Sequence, residues 1–470
     1  MPRERKKTMT DTTKTPSSPR RRFALWQGAA ALSTLALIPL ATGAMATVDS
    51  KTQAEISRFM DVFLEVKSNY VEPVSDDKLI EGAINGMLAS LDPHSGYLDA
   101  RDYSNLRTQT DGEYGGLGLS VTMEDGVVKV IAPTADTPAD KAGIKAGDYI
   151  THINKELIFG MTLDEAVEQM RGRPGTQIEI TVVREGQDKP IEMTLTREII
   201  DIKPVKWEVS GDVGVLTIAS FSADATRDLK AAMLAVEKSL GHKPRGWVLD
   251  LRSNPGGLLD EAVGISDLFL DRGEIVSQRG RSKGDIERYF AQPGDLAGGA
   301  PVIVLIDAGS ASASEIVAGA LQDQHRAVIM GERSFGKGSV QTVLPLTDTT
   351  ALRLTTARYY TPSGRSVQEG GIEPDIRVPQ LSDPDYKNRP RFRESDLRRH
   401  LVNEKKVDNS LLEKDEKEDP RFTASAADLK AKGIDDYQLY YALQTIGRIS
   451  PTAPRMAAGG KPAAKPTARN

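Results

Sequence analysis

The stretch DAGSASASEIVAGALQDQHRAVIMGERSFGKGSVQ, residues 307–341, decides the fold of this 470-residue chain. It follows the apolar, β-branched run 302–306, which is typical of a buried parallel strand. Within the stretch, apolar residues at helical spacing predict a helix at about 313–323, and the run 327–330 predicts the next strand. The pattern therefore predicts one β-α-β unit of an α/β fold.

Two reactive side chains lie in the loops of this unit. Ser312 stands in a small-residue turn just before the helix, and Lys337 lies in the glycine-rich loop 331–338 after the second strand. Because such a crossover is right-handed, the two strands are parallel and both loops open at the carboxyl edge of the sheet. We therefore expect Ser312 and Lys337 to meet in space.

A serine and a lysine that meet in this way can act as a nucleophile and its base. A serine hydroxyl attacks efficiently only when a base removes its proton, and a neutral lysine can be that base. Burial under the glycine-rich loop would lower the pKa of Lys337 from its ordinary value of about 10.4. The unpaired backbone N–H of Ala313, at the positive end of the helix, would then hold an oxyanion.

Simpler interpretations of the same residues stay open. The sequence Ser312-Ala313-Ser314-Glu315 is also a capping box, in which Ser312 only caps the helix. A lysine in a glycine-rich loop is more often solvent-exposed or bound to a phosphate. A nucleotide site is nevertheless disfavoured, because Gly338 stands where the phosphate-binding motif requires a hydroxyl residue.

The segments GSASASE and FGKGSVQ, with Lys337 placed 25 residues after Ser312, resemble the carboxyl-terminal processing (tail-specific) protease family. The resemblance implies a crotonase/ClpP-like α/β protease core that carries an inserted PDZ domain (α+β) and amino-terminal helices. It also implies that Ser312 is the nucleophile, that Lys337 is the general base and that Gln341 orients the lysine.

A further loop, Arg252 to Gly257, follows another predicted strand and falls on the same edge of the sheet. Taken alone, it could be only a tight turn. It matches the DLRxNPGG motif, which in this family supplies an oxyanion-hole N–H beside the one that follows the nucleophile. The resemblance therefore implies an oxyanion hole made by Gly257, preferred here over Gly256, and Ala313.

Short alternating strands with one helix begin at about residue 103, and GLGL together with AGIKAGDYITHIN resembles a PDZ domain. The resemblance implies that an extended peptide adds as a strand beside the helix, while a loop binds its terminal carboxylate. That substrate-binding loop consists of Gly116, Leu117, Gly118 and Leu119. Arg171, just past the helix, is a candidate for sensing the bound tail, and the alternative is an arginine in solvent.

The amino-terminal 46 residues are predicted to direct export. Residues 1–22 carry a net charge of +6, residues 23–46 carry no charge, and Ala44-Met45-Ala46 fits a small-x-small cleavage site. The uncharged span of 24 residues is also long enough for a retained membrane anchor. The predicted location is the periplasm, with attachment to the inner membrane if the span is not cleaved.

The predicted organisation after residues 1–46 comprises a helical segment at 47–102, the PDZ domain at 103–199, the serine protease core at 200–380, a charged helical extension at 381–450 and a disordered tail at 451–470. The piece NYVEPVSDDKLIEGAINGMLASLDPHSGYL resembles the amino-terminal helical segment of the same family, and Glu72-Pro73 should break it into two helices. His94 is interpreted as a turn residue beside Pro93. The mixed charges of residues 382–419, within this extension, are typical of a solvated face.

Composition excludes several classes of function. The chain has no cysteine, which excludes disulfides, thiol catalysis and cysteine-ligated metals. Residues 47–470 carry a net charge of −11 within a total of −5, which argues against nucleic acid as a partner. No cofactor and no metal are expected. The expected partners are protein substrates with exposed carboxyl-terminal tails; the resemblance also allows a lipoprotein adaptor and a homo-oligomer, with membrane contact only through an uncleaved amino-terminal segment.

Three other functions are alternatives to a serine endopeptidase. The first is a catalytically inactive PDZ scaffold, which the presence of Ser312, Lys337 and Gln341 disfavours. The second is a Ser-His-Asp hydrolase using His325, but that residue follows the far end of the helix, about 18 Å from Ser312. The third is a thioester enzyme on a related fold, for which the sequence offers no acyl-carrier site.

Overall fold

The computed structural model describes residues 49–389, 391–405 and 419–450. The predicted signal or anchor at 23–46 and the predicted disordered tail at 451–470 lie outside these ranges. Within them, no helix combines the length and the apolar character needed to cross a membrane.

The first two helices are α1 (Ser50–Asn69) and α2 (Asp76–Ala89), so the predicted break near Glu72-Pro73 is confirmed. Asp49 caps α1 by accepting the backbone N–H of Thr52 at 2.7 Å. The first compact unit of the chain ends at residue 83, inside α2, and the second unit contains everything described below.

A mixed α+β region follows, in which the predicted start of the strands at residue 103 is wrong. Residues up to 111 are helical, and the strands begin at 113 because a left-handed Gly112 ends the helix. The elements are β1 (Gly96–Leu98), α3 (Ala100–Asp111), β2 (Glu113–Gly116), β3 (Leu119–Glu124), β4 (Val127–Pro133), α4 (Pro138–Lys141), β5 (Tyr149–Ile153), β6 (Glu156–Leu157), α5 (Leu163–Met170), β7 (Gln177–Val183), β8 (Ile191–Thr196) and β9 (Glu198–Asp201).

These strands form an antiparallel sheet in the order β3-β4-β5-β7-β8, in which β3 is an edge strand. Its own apolar core contains Ile150, Ile153 and Ile180, all fully or almost fully buried. The two connections to the rest of the chain pair with each other as the antiparallel ribbon β2-β9. This region is therefore a separate folded domain inserted into the chain through a two-stranded stem.

The α/β body carries the largest sheet. Its elements are β10 (Val205–Ser210), β11 (Val213–Ile218), α6 (Ala225–Leu240), β12 (Gly246–Asp250), α7 (Leu259–Asp267), β13 (Glu274–Arg279), β14 (Ile286–Phe290), β15 (Val302–Ile306), α8 (Ala313–Asp323), β16 (Val328–Gly331), β17 (Ser339–Pro345), β18 (Ala351–Tyr360) and β19 (Ile376–Arg377). The strand order is β10-β11-β12-β15-β16-β19, and every neighbouring pair is parallel except β10 and β11. The predicted parallel β-α-β unit β15-α8-β16 is confirmed.

Both faces of this sheet are covered, as a parallel sheet requires. Helices α6, α7 and α8 cover one face, with Leu229, Ile265 and Val317 fully buried. Two further helices follow, α9 (Ala426–Ala431) and α10 (Tyr437–Ile449), and α10 packs on the other face through Ala442 and Ile446. Helix α10, in the part of the chain predicted as a charged helical extension, completes the core of the body.

The interpretation of the charged extension as a solvated face is wrong at one position that matters below. Glu394 is fully buried, and its carboxylate is hydrogen-bonded to the ring of His94 and to the side-chain amide of Gln368. A second, smaller sheet lies nearby in the order β1-β18-β13-β14, with β17 paired to β18. The segment that contains His94 is fixed to this sheet, since β1 follows it directly and pairs with β18.

Candidate active site

Ser312 occupies the junction between the turn after β15 and the first residue of α8. Its backbone has φ 53° and ψ −112°, a combination that residues other than glycine rarely adopt. Helix α8 behind it is buried along its first nine residues, Ala313 to Leu321, so the strained turn cannot relax without disturbing the core. Strained backbone of this kind is concentrated at functional sites, and the Ser312 side chain stays half-buried.

The loop after β12 lies directly against this turn, as the shared sheet edge predicts. A Cβ atom placed on Gly256 would lie 2.8 Å from the Cβ of Ser312, so only glycine allows the approach. Asn254 fixes the loop, because its side-chain oxygen accepts the N–H of Gly256 at 2.9 Å and its carbonyl accepts the N–H of Ala311 at 3.0 Å.

Two backbone N–H groups near the serine remain without an acceptor. The N–H of Gly256 is used by Asn254. By contrast, the N–H groups of Gly257 and Ala313 have no hydrogen-bond acceptor among the residues that the structure describes. Unpaired donors of this kind can bind a developing negative charge.

Glu315 connects the serine turn to the lysine loop. One of its oxygens, Oε2, accepts the backbone N–H of Ser312 at 2.8 Å and that of Lys337 at 2.9 Å. The other, Oε1, accepts the hydroxyl of Ser334 at 2.6 Å and the N–H of Gly336 at 2.7 Å. Glu315 is fully buried, and burial raises its pKa to about 7 even though these four donors act in the opposite direction.

Tyr359 reinforces the same connection. Its ring is almost completely buried, and its hydroxyl donates to the carbonyl oxygen of Lys337 and lies 3.2 Å from the carbonyl oxygen of Ser312. Ser312 and Lys337 are therefore brought together through their backbones. No hydrogen bond joins the hydroxyl of Ser312 to the amine of Lys337 in this arrangement.

The amine of Lys337 donates instead to Oε1 of Gln341 at 2.5 Å. The two residues can meet because Lys337 precedes β17, and a register shift between Val340 and Gln341 reorients the start of that strand. Burial lowers the pKa of Lys337. The nearby carboxylate of Glu394 opposes this shift, and the charge of Arg353 adds to it.

The sequence predicts no role in this centre for three of its residues, and for a fourth it predicts only a helix cap. The sequence marks Glu315 only as part of a capping box, and in the segment DPHS it marks only His94, as a turn residue. The others are Asp92, Thr355 and Glu394, of which Asp92 and Thr355 hydrogen-bond to each other at 3.1 Å. An acid before a Pro-His-Ser turn is the one signal that could have found Asp92, whereas nothing local marks Glu394.

The inserted domain carries the predicted carboxylate-binding loop. The N–H groups of Leu117 and Gly118 have no acceptor among the described residues. Gly118 has φ 77° and packs so closely on Thr137 that a side chain would clash. The edge strand β3 and helix α5 present partly exposed apolar side chains from the same core, among them Leu119, Val121, Leu163 and Val167.

Arg171 lies at the end of α5, and its observed partners are outside the GLGL loop. Its Nη1 atom donates to Oδ1 of Asn105 at 3.0 Å, and its guanidinium lies 5.0 Å from the centre of the Tyr114 ring. These contacts connect α5 to α3 and to the stem strand β2. The alternative of an arginine free in solvent does not describe this position.

Neither His94 nor His325 has a hydrogen bond to Ser312 among the described residues. His325 lies beyond the carboxyl end of α8, whereas Ser312 precedes its amino end. The turn residue His94 makes a contact that was not predicted, because its Nε2 lies 2.9 Å from both carboxylate oxygens of Glu394. Over the described ranges, no cluster of histidines and acids is arranged to hold a metal ion.

Three family descriptions match successive parts of the chain. Residues 212–378 match Peptidase family S41, residues 115–195 match the PDZ domain, and residues 39–102 match the activating protease CtpB N-terminal domain. The PDZ match begins after α3, in agreement with the observed start of the strands.

Individual proteins show the same similarity. Over 420 residues the chain is 48% identical to the carboxy-terminal-processing protease of Bartonella bacilliformis, which covers 89% of this chain and 94% of the relative. It is 34% identical over 343 residues to the carboxy-terminal processing protease CtpA of Bacillus subtilis, covering 73% and 72%. The solved photosystem II D1 C-terminal processing protease is 32% identical over 67% of this chain and 85% of its own, with a TM-score of 0.40.

Proposed function

The chain belongs to the carboxy-terminal-processing proteases, the serine peptidases of family S41, and on that premise we propose that it is an endopeptidase with a Ser312/Lys337 dyad. The observation that carries the proposal is the bridge made by Glu315. A single carboxylate oxygen holds the backbones of Ser312 and Lys337 together at 2.8 and 2.9 Å. Such a bridge has no purpose in a helix cap alone, which would involve only the serine turn.

Lys337 is suited to the role of general base. The lowered pKa increases the fraction of neutral amine at a given pH, and only the neutral amine can accept a proton. A neutral amine still has N–H groups to donate, so the hydrogen bond to Gln341 at 2.5 Å leaves the nitrogen lone pair available. Gln341 therefore orients the base without occupying the lone pair that accepts the proton.

In the proposed reaction, Lys337 removes the hydroxyl proton of Ser312 as the serine oxygen attacks the carbonyl carbon of the scissile peptide bond. The negative charge that develops on the carbonyl oxygen is held by the N–H groups of Gly257 and Ala313. Lys337 then gives its proton to the leaving amine, which produces an acyl-serine. A water molecule hydrolyses the acyl-serine by the reverse sequence and restores the hydroxyl.

The assignment of Gly257, in preference to Gly256, is supported by the hydrogen bonds of the loop. Asn254 already uses the N–H of Gly256, whereas the N–H groups of Gly257 and Ala313 are unpaired among the described residues. Both unpaired groups belong to segments that contact the serine turn. Their positions are set by backbone, so they need no rearrangement when charge develops.

Substrates are selected, in this proposal, by the PDZ domain. The unpaired N–H groups of Leu117 and Gly118 bind the terminal carboxylate, while the last residues add as a strand along β3. Gly116 and Leu119 flank these donors, and the apolar side chains between β3 and α5 favour an apolar tail. Arg171 acts on this domain from the stem, through its contacts with Asn105 and Tyr114.

The remaining parts of the proposal concern location and organisation. We place the enzyme in the periplasm, exported by residues 1–46, with the domain limits given under Sequence analysis. Membrane attachment by an uncleaved amino-terminal segment, a lipoprotein adaptor and self-association belong to the same proposal. The alternative function is an inactive PDZ scaffold that binds protein carboxyl termini.

The test is proteolysis by the purified form that starts at residue 47. An unfolded protein with an apolar carboxyl tail is incubated with wild type, with Ser312→Ala and with Ser363→Ala, which removes an exposed hydroxyl elsewhere in the body. Wild type and Ser363→Ala should cleave the protein, and Ser312→Ala should bind it without cleavage. Equal cleavage by Ser312→Ala would refute the assignment, and binding without cleavage by wild type would favour the scaffold.

A further inference from the structure

A chain of hydrogen bonds leads from the lysine amine into the segment before β1. Lys337 Nζ donates to Gln341 Oε1 at 2.5 Å, and Gln341 Nε2 donates to the hydroxyl of Thr355 at 3.3 Å. That hydroxyl donates in turn to Oδ1 of Asp92 at 3.1 Å. Every donor in the series points away from the lysine, and the series ends on a carboxylate.

Asp92 is held rigidly at the end of this series. Its Oδ1 accepts the backbone N–H groups of His94 and Ser95, both at 2.8 Å, and its Oδ2 accepts the Ser95 hydroxyl at 2.8 Å. Burial acts to raise the pKa of Asp92, but the hydrogen bonds from Ser95, His94 and Thr355 outweigh it and lower the pKa below its ordinary value. The carboxylate is therefore negatively charged at neutral pH.

The fold brings these groups together from opposite ends of the body. Asp92 lies just before β1, which pairs with β18 over three residues. Thr355 lies on β18, and its backbone N–H donates to the Ser95 hydroxyl at 3.1 Å. Gln341 pairs with Thr355 across the β17-β18 ladder. The series is thus built on paired strands and does not depend on a loose surface contact.

We propose that Thr355 and Asp92 are positioning residues of the proteolytic reaction, which extend the Ser312/Lys337 dyad into the series Lys337-Gln341-Thr355-Asp92. The hydroxyls of Thr355 and Ser339, which both accept from Gln341 Nε2, at 3.3 and 3.0 Å, fix which way the amide faces, so that its oxygen and not its nitrogen meets the lysine. Asp92 polarises the series and stabilises the positive charge that Lys337 gains when it takes the serine proton. This inference rests on the proposed dyad and deepens it.

The charge on Lys337 also depends on other groups that face it. Asp92, Glu315 and Glu394 favour the ammonium form, and Arg353 opposes it. Asp92 differs from the other acids because hydrogen bonds connect it to the amine through Thr355 and Gln341. Asp92 should therefore act on Lys337 both through its charge and by orienting Gln341. A variant of Thr355 removes the orienting hydrogen bond and leaves the charge of Asp92 in place, so it should separate the two effects.

The test compares five variants with wild type on the same unfolded protein substrate, and one of them, Lys337→Ala, reports on the dyad itself. Thr355→Val keeps the shape of the side chain and removes the hydroxyl, and Thr355→Ser keeps the hydroxyl. Thr356→Val is the matched control, because Thr356 is exposed on the other face of β18 and bonds to Thr342 at 2.6 Å. Asp92→Asn keeps the size of the side chain and removes the charge.

Thr355→Val should lower kcat about 10- to 100-fold with little change in KM, because the lost interaction acts after binding. Thr355→Ser should restore most of the rate, and Thr356→Val should behave as wild type. Asp92→Asn should lower kcat and also move the acid limb of kcat/KM to lower pH, since loss of a negative neighbour disfavours the Lys337 ammonium. Melting curves of all variants identify any loss that comes from unfolding.

The outcomes separate this inference from the proposed function. Wild-type kcat in folded Thr355→Val, together with loss of activity in Lys337→Ala, would overturn the extended series and leave the dyad standing. A folded Asp92→Asn variant with an unshifted pH profile would also overturn it. Full activity in Lys337→Ala would overturn the dyad and the series together.

Discussion

One carboxylate oxygen of Glu315 accepts the backbone N–H of Lys337 and also that of Ser312, the proposed nucleophile. The carboxylate atom Oε2 of Glu315 lies 2.9 Å from the backbone nitrogen of Lys337 and 2.8 Å from that of Ser312. Glu315, the third residue of α8, therefore also binds the glycine-rich loop that follows β16. This contact makes the relative position of the serine turn and the lysine loop depend on one side chain.

Glu315→Gln should therefore damage both stability and rate. The amide has one oxygen where the carboxylate uses two, so its NH2 group would face backbone donors that need an acceptor. We expect a loss of about 3 to 5 kcal/mol in the free energy of unfolding and a fall in kcat in the fraction that stays folded. Denaturant titration and steady-state kinetics measure the two effects, with the more exposed Glu373→Gln as control; a neutral Glu315→Gln would contradict the bridging role.

Glu394→Gln should change the pH dependence of activity in a defined direction. The buried carboxylate of Glu394 raises the pKa of Lys337 against the effect of burial, so its removal should lower that pKa further. Because the proposed mechanism needs the neutral amine of Lys337, the acid-side midpoint of kcat/KM should move to lower pH. Glu404→Gln, in the same extension but exposed, is the control. A midpoint that stays in place or moves to higher pH would show that Glu394 does not act on the base.

Amidated substrates should test how tails are chosen. Replacing the terminal carboxylate by an amide removes the charged partner of the loop that contains Leu117 and Gly118, at a loss of about 1.5 to 3 kcal/mol, or roughly 10- to 150-fold in affinity. Cleavage at subsaturating substrate should slow by about that factor. Leu119→Trp should have the same effect by filling the groove. Equal cleavage of free-acid and amidated substrates would mean that the PDZ domain does not select tails, even if the dyad is intact.

Ile446→Ala tests the part of the core that comes from the charged extension. Ile446 on α10 is fully buried against the central sheet, so the truncation should cost about 2 to 5 kcal/mol in the free energy of unfolding. Ile449, on the same helix, is 48% exposed, and Ile449→Ala should cost far less. Chemical denaturation of the two variants gives both values. Equal losses would argue against docking of α10 on the sheet.

The sequence predicted the parts of the site whose geometry follows from local periodicity and sheet topology. The bounds of α8 follow from its apolar spacing, and the approach of Gly256 to Ser312 follows from the common carboxyl edge of parallel strands. The contact between Lys337 and Gln341 depends on less regular backbone. Four residues of straight strand would separate them by about 13 Å, and the register shift after Val340 that brings them together has no clear local signal.

Contacts between distant segments could not be predicted from the sequence for a different reason. Asp92 and Glu394 act on the lysine because the segment before β1 and the charged extension both return to the β17-β18 edge. A charged residue in a polar segment is usually solvated, and nothing in its neighbours shows that this one is buried. Only tertiary structure distinguishes the buried Glu394 from the exposed Glu404.

The most direct test of the account is the turnover of Lys337→Ala beside that of His325→Ala on one unfolded protein substrate. We expect Lys337→Ala to lower turnover at least about 10³-fold, because Lys337 is the base that takes the serine proton in the proposed mechanism. His325→Ala and a metal chelator should leave turnover close to wild type. Turnover that survives in folded Lys337→Ala, or that is lost with His325→Ala or the chelator, would contradict the Ser312/Lys337 dyad.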